Sequence, residues 1–155
     1  MEIKRIIKAD EVNERLTLAM QSLCKQLTNS APKTAIFPHL GQEELRQIIA
    51  EEHTALFMAM AKDGNYIGTT TVHVWRHPVR KRAFIDDVVV DSNNRGQGAA
   101  MALVQAAVDF AKSESADYIE LTCNSKARPE AAQLYLKMGF EIVQTDVFRF
   151  ALSQF

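Results

Sequence analysis

The sequence predicts one mixed α/β domain spanning residues 1–155, and three observations point to it. Apolar residues recur at helical spacing in the first third, then switch to strand-like runs from Ala55 onward. Turn residues punctuate the chain at short intervals, with no repeat, low-complexity stretch or linker to divide it. From Phe84 the order becomes strand, helix, strand, helix, which requires crossovers and a parallel pair within an otherwise antiparallel sheet. A chain of 155 residues buries about two-thirds of its unfolded surface, so its core needs no covalent staples.

Residues 3–8 alternate weakly and suggest a first strand. Asp10 is placed to cap a helix over 11–27, where Val12, Leu16, Ala19, Met20, Leu23 and Leu27 share one face. Asn29 to Leu40 reads as a loop. A second helix over 42–51 buries Leu45, Ile48 and Ile49. Ala55–Ala61 and Tyr66–Trp75 form a hairpin around Lys62-Asp63-Gly64-Asn65, whose Asp-Gly pair supplies positive φ. Phe84–Val90 is a third, buried strand of the central region. A helix over 98–112 carries Ala100, Leu103, Val104, Ala107, Val108 and Ala111 at a period of 3.6. Strand 118–123 follows, with Ile119, Leu121 and Cys123 on one face. Pro129 opens a short helix that Gly139 closes. Phe140–Val143 and Val147–Leu152 complete an expected order of β-α-α-β-β-β-α-β-α-β-β.

Eighteen basic and nineteen acidic residues leave a net charge of −1, which argues against broad nucleic-acid binding. The densest basic stretch holds Arg76, Arg80, Lys81 and Arg82 around His77 and Pro78. It reads as a solvated hairpin loop or as a site for an acidic substrate or partner. Cys24 and Cys123 lack metal-ligand spacing, and two thiols in such a chain fit a reducing compartment. The first ten residues contain no apolar signal core, and no apolar run approaches ~20 residues, so a cytoplasmic protein without membrane segments is expected.

The most informative segment runs from Val88-Val89-Val90 through Asp91-Ser92-Asn93-Asn94 to Arg95-Gly96-Gln97-Gly98-Ala99-Ala100. A buried strand enters a polar turn and then a helix. Unpaired N–H groups at a helix start, reinforced by the helix dipole, form a cradle for an anion. Glycine allows close backbone approach, and Arg95 adds a charge-assisted hydrogen bond. A P-loop needs Gly-Lys-Ser/Thr where Gly98-Ala99-Ala100 stands. A dinucleotide fingerprint needs a third glycine where Met101 stands.

The loop resembles the coenzyme-A signature Arg/Gln-x-x-Gly-x-Gly/Ala of the GCN5-related N-acetyltransferases, with Arg95, Gly98 and Ala100 on the fixed positions. Ala131 to Phe140, containing Leu134-Tyr135 and Gly139-Phe140, resembles the same family's second signature, and Asn124 matches a frequent family position. Together the motifs cover roughly 84–143. Ile85-Asp86-Asp87-Val88-Val89-Val90-Asp91 and the Leu-Tyr helix are further similar to glucosamine-phosphate acetyltransferases. The resemblance implies the acyl-CoA N-acyltransferase fold, a splayed mixed sheet flanked by helices. It also implies acetyl-CoA as cosubstrate, with pantetheine paired to Val88–Val90 and pyrophosphate on the N–H groups of residues 95–100.

Acetyl transfer to an amine requires a deprotonated nucleophile, a polarised thioester oxygen and a proton for the departing thiolate. Direct attack needs no covalent protein intermediate and no metal. Tyr135 is the family-matched general acid, and otherwise a core tyrosine. Asp86 and Asp87 are candidate bases or ammonium anchors; strand alternation allows at most one to face the acceptor. Phe37, His39, His73, Trp75 and Phe148 are weaker candidates for an acceptor pocket. The expected function is N-acetylation of a small-molecule amine, an amino sugar or amino acid derivative, by a homodimer. The alternatives are acetylation of a protein N-terminus or lysine, and a coenzyme-A sensor without turnover.

Overall fold

The computed structural model describes residues 1–28, 40–148 and 150. They fall into two compact units, one ending at Thr122 and one running from Cys123 onward.

In the first unit, strand β1 (Glu2–Ile6) runs into a single 3-10 turn, Ala9–Glu11. The Glu11 carboxylate accepts from the N–H groups of Ile7 and Lys8, each at 2.9 Å, and pairs with Lys4 at 2.8 Å. Lys4 first, then the two N–H donors, hold its pKa down to about 2. Helix α1 (Glu14–Thr28) therefore starts later than expected. Asn13 rather than Asp10 caps it, its side-chain oxygen accepting from Leu16 N–H at 3.0 Å. Asp10 loses the role because Glu11 turns the chain first and Val12 is drawn into the core. Helix α2 (Gln42–Ala50) buries Leu45 fully and packs Ile48 and Ile49 against the same cluster.

Strands β2 (Thr54–Met60), β3 (Tyr66–Arg76), β4 (Lys81–Val90) and β5 (Tyr118–Leu121) follow. The sheet runs β1-β2-β3-β4-β5. The first four strands are antiparallel neighbours, and β5 lies parallel to β4. This agrees with the crossover implied by helix α3 (Ala99–Ser113). Helices α1 and α2 cover one face, where Leu16, Met20, Leu23 and Leu45 meet Leu56, Met58 and Val89. Helix α3 packs on β2, β3 and β4 from the other side, with Leu103, Val104, Ala107 and Phe110 buried. Phe110 meets Phe57 edge-on at 6.3 Å between ring centres.

Gly68 permits this layering. A Cβ there would stand 2.9 Å from the Val89 carbonyl oxygen and 3.1 Å from Leu103 Cδ1. Backbone cannot yield as a side chain can, so the position needs hydrogen.

The second unit contains helix α4 (Pro129–Lys137), with Pro129 in its first turn and Gly139 at φ +89° closing it. The strand expected at 140–143 is not found, and residues 140–148 and 150 form no strand; of the strand expected at 147–152, residues 149, 151 and 152 lie outside the described residues. Apolar spacing supplies a face, but a strand exists only when its N–H and C=O groups join a ladder. Ile142, Val143 and Val147 are largely exposed. Strand β5 likewise stops at Leu121, short of Cys123.

Two stability predictions follow from these contacts. Glu11→Gln should cost about 1 kcal/mol at pH 7, because it removes the charge that binds three donors. A lowered carboxylate pKa stabilises above the unfolded value and loses that contribution as pH falls through the folded one. Urea titrations should show the difference intact at pH 6 and vanishing toward about pH 2. Gly68→Ala should cost about 1–3 kcal/mol through overpacking; an unchanged melting curve would contradict the close approach.

Candidate active site

Strand β4 is paired on both sides for only part of its length. Its ladder with β5 runs from Arg82↔Tyr118 to Ile85↔Leu121 and ends there. From Asp86 to Val90, among the described residues, it has no partner on that side. Those main-chain groups are open to a ligand that lies extended along the strand. Val89 and Val90 bury their side chains in the core, and Val88 is half-buried, so any contact with a ligand would run through backbone.

A bulge lies within this stretch. The register with β3 steps from Thr69↔Val89 to Thr71↔Asp86, so Asp87 and Val88 together oppose Thr70. Asp87 takes φ +55°, and Thr70 donates its hydroxyl to the Asp86 carbonyl at 3.1 Å. The bulge also defeats the simple alternation expected for the two carboxylates. Asp86 stands opposite Thr71, on the side of α1, and Asp87 acts electrostatically on Cys24 of α1 as well. Burial pushes both carboxyl pKa values up; Asp86 raises Asp87 further, and His73 opposes both shifts. A carboxylate with a raised pKa is a better proton acceptor at neutral pH than an ordinary one. Burial, and then Asp87, push the Cys24 thiol up, so it is held as a neutral core residue.

After Val90 the chain makes a 3-10 turn at Ser92–Asn94. The Asp91 carboxylate accepts from Asn93 N–H at 2.9 Å and from the Asn94 side chain at 3.2 Å. Gln26 of α1 grips the turn from outside: it donates to Asp91 at 2.7 Å and accepts from Ser92 N–H at 2.9 Å. Gln26, then the backbone donor, hold the Asp91 pKa down. Gly96 and Gly98 follow at φ +75° and +83°, and Gly98 is the left-handed cap of α3. Nothing lies within 4 Å of where either Cβ would stand, so the left-handed backbone, and not crowding, selects glycine. Arg95 is exposed and anchored by its Nε to the Val90 carbonyl at 3.2 Å. Gln97 is exposed, Ala99 is buried and Ala100 half-buried, so the exposed turn leads directly into the first turn of α3. The turn can offer main-chain donors and a guanidinium to an anion.

His73 and Trp75 do share a face, as their spacing of two predicts. Their rings stack 5.4 Å apart at 11°, and Thr54 holds His73 Nδ1 at 3.0 Å. Phe37 and His39 lie outside the described residues. Phe148 is 93% exposed and belongs to the second unit. There too, Tyr135 is half-buried and meets Phe140 edge-on at 5.9 Å. Burial, then Cys123, push its phenol pKa up, and Arg128 opposes them. Asn124 is exposed; its side-chain oxygen accepts from Ala127 N–H at 3.1 Å and turns the chain toward α4. Among the described residues, no three His, Cys, Asp or Glu side chains gather as metal ligands, and no helix is long and apolar enough to cross a membrane.

The sequence profile of the Acetyltransferase (GNAT) family matches residues 20–140. The chain belongs to this family. It is 30% identical over 126 residues to streptothricin acetyltransferase of Streptomyces lavendulae, covering 79% of this chain but only 64% of that relative's length. An aminoglycoside acetyltransferase from an uncultured soil metagenomic sample shares the fold at a TM-score of 0.80 with 19% identity, over 98% of this chain and 96% of that one. Glucosamine-6-phosphate N-acetyltransferase from Arabidopsis thaliana does so at 0.69 with 19% identity, over 96% and 99%. Gln26 had no signal in the sequence reading, because nothing in a helix pattern says which loop a polar residue will reach.

Asp86 yields a signed prediction. A carboxyl whose folded pKa is raised destabilises once ionised; the cost is full above the folded value and absent below the ordinary one of 3.8. Asp86→Asn should therefore raise the melting temperature at pH 7, with the gain disappearing below about pH 3.8. A loss of stability at pH 7 would show that Asp86 is not a strained carboxylate.

Proposed function

We propose that this chain is a single N-acetyltransferase domain over residues 1–155, moving an acetyl group from acetyl-CoA to a primary amine of a small molecule. The observation that carries the reading is the adjacency of two open backbone features in the first unit. The left-handed Gly96–Gly98 turn at the head of α3 directly follows the stretch of β4 that lacks a β5 partner. The first feature suits the pyrophosphate, and the second suits the amide-bearing pantetheine arm, which would lie along Val88, Val89 and Val90 as an added strand. Arg95 pairs with a phosphate oxygen, the N–H groups of residues 96–100 take the others, and Asn124 is assigned to the coenzyme on the family motif.

In this reading a main-chain N–H beside the bulge polarises the thioester oxygen. The ammonium passes a proton to Asp86, directly or through water, with Asp87 beside it. The free amine attacks the carbonyl carbon, the C–S bond breaks, and the thiolate takes the phenolic proton of Tyr135. The raised pKa of Tyr135 supports this role, since the phenol stays protonated until the thiolate forms. The names of two relatives, streptothricin acetyltransferase and an L-amino acid N-acetyltransferase of Escherichia coli, support a small-molecule acceptor. A ribosomal-protein-alanine N-acetyltransferase that shares the fold keeps a protein terminus as the alternative. The reaction requires no metal. We also propose a homodimer in the cytoplasm, for which the exposed Ile142, Val143 and Val147 are one support.

A thiol-release assay over a panel of amines tests the activity. Tyr135→Phe should lower kcat by about a hundredfold, the scale of one general acid, while leaving affinity for acetyl-CoA within about twofold. An unchanged kcat removes Tyr135 from the mechanism. Coenzyme binding without product on any amine would point to a sensor instead.

A further inference from the structure

We propose that the acceptor carries an anionic group some distance from its amine, and that the end of the β3–β4 hairpin around Arg82 receives it. The inference rests on the acetyltransferase reading above and narrows its substrate class.

Same-face residues of β4 are spaced about 7 Å apart, so Asp86, Phe84 and Arg82 form a row. On β3 their register partners are Thr71, His73 and Trp75. One side of the sheet thus presents a carboxylate at one end, the stacked His73–Trp75 rings in the middle and a guanidinium at the other end. The Arg82 guanidinium stands 5.7 Å from the Trp75 ring centre. Beyond it opens a recess of about 310 Å³ lined by His77, Pro78, Val79, Arg80, Arg82 and Tyr118.

The cations of this hairpin are unequally occupied. Lys81 is committed elsewhere, donating to the Glu114 carbonyl at 2.6 Å. Arg80 stacks over Tyr118 at 5.7 Å. Arg82 has one acidic neighbour, Glu120, at 3.6 Å; with side-chain exposures of 39% and 38% that pair is weak. Among the described residues, its buried Nε–H finds no acceptor. A guanidinium has five donors in a planar fork, and a phosphate or carboxylate matches that fork with two parallel bonds. The recess beside it admits such a group, and Arg80 adds positive charge to its wall.

The row also sets a length. Asp86 and Arg82 are four residues apart, about 13 Å along the strand, shortened by the reach of the arginine. The amine and carboxylate of a single α-amino acid are too close together to use both ends. A compact skeleton with its anion several atoms away fits, and the flat rings between the two ends suit a sugar ring or a peptide unit. Phosphorylated amino sugars and short peptides with a free carboxylate share this chemistry.

Trp75 is the only tryptophan of the chain, so its fluorescence reports on this row without any turnover. Titration with inorganic phosphate, glucose 6-phosphate and glutarate should give a saturable change, and glucose should give none. Arg82→Gln should weaken the response about tenfold, with Arg82→Lys falling between, as loss of a charge-assisted pair requires. In turnover, Arg82→Gln should lower the ratio of kcat/KM for glucosamine 6-phosphate over glucosamine, or for glycylglycine over its amide, by about tenfold. Which ratio falls identifies the anion as phosphate or carboxylate. No fluorescence response to any anion up to about 20 mM, or an equal response in Arg82→Gln, would overturn the inference. Acetylation of neutral and anionic amines alike, at ratios that Arg82→Gln leaves unmoved, overturns it too while keeping the acetyl-transfer reading. Anion binding through Arg82 with no thiol release from any amine would do the reverse, sinking the transfer reading and leaving the site.

Discussion

Strand β4 must satisfy its backbone on two sides, and beyond Ile85 the described residues satisfy only one of them. Main-chain N–H and C=O groups left without partners are costly unless water or a ligand takes them. The architecture of the first unit surrounds that constraint. The antiparallel run of β1 to β4 fixes one edge of β4, and the crossover through α3 brings β5 alongside its first half. The bulge at Asp87 and Val88 then bends the remaining half, opposing two residues to Thr70. Gly68 lets β3 and α3 approach this bent segment from behind. Each piece leaves the same edge exposed and rigidly backed.

The electrostatics continue the same theme. Glu11 and Asp91 are carboxylates with donors arranged around them, and their pKa values are held low. They fasten the chain, one at β1 and one at the turn before α3. Asp86 and Asp87 are the opposite case: burial pushes both pKa values up, and Asp86 raises Asp87 further. Such carboxylates cost stability when ionised, and the proposed role as proton acceptor gives that cost a use. Gln26 links the two regimes, since it spans from α1 to the turn that carries the glycines.

Much of this was legible before the structure. The Asp-Gly hairpin, the periodic α3 and the strand–turn–helix around Gly96 and Gly98 are local signals, and local signals survive folding. The Gly96–Gly98 turn could be read because only glycine takes its left-handed backbone cheaply. What failed was set by non-local competition. Asp10 has the right chemistry for a cap but lost to Asn13, because Glu11 recruits the preceding N–H groups. Alternation placed Asp86 and Asp87 on opposite faces; a bulge, which needs a partner strand to exist, removed that rule. The strand expected at 140–143 had apolar spacing and joins no ladder. Arg82 was visible only as one charge in a basic stretch; that Lys81 turns toward Glu114 while Arg82 keeps a weak, exposed pair with Glu120 depends on the folded hairpin.

The central claim is that amides at the head of α3 grip a diphosphate and so aim the thioester along the open side of β4. Calorimetric comparison of coenzyme A with pantetheine, which keeps the arm and lacks the diphosphate, addresses it most directly. The account predicts saturable binding of coenzyme A and at least about a hundredfold weaker binding of pantetheine, the loss of several charge-assisted hydrogen bonds. Equal affinities, or no heat from coenzyme A, would contradict it.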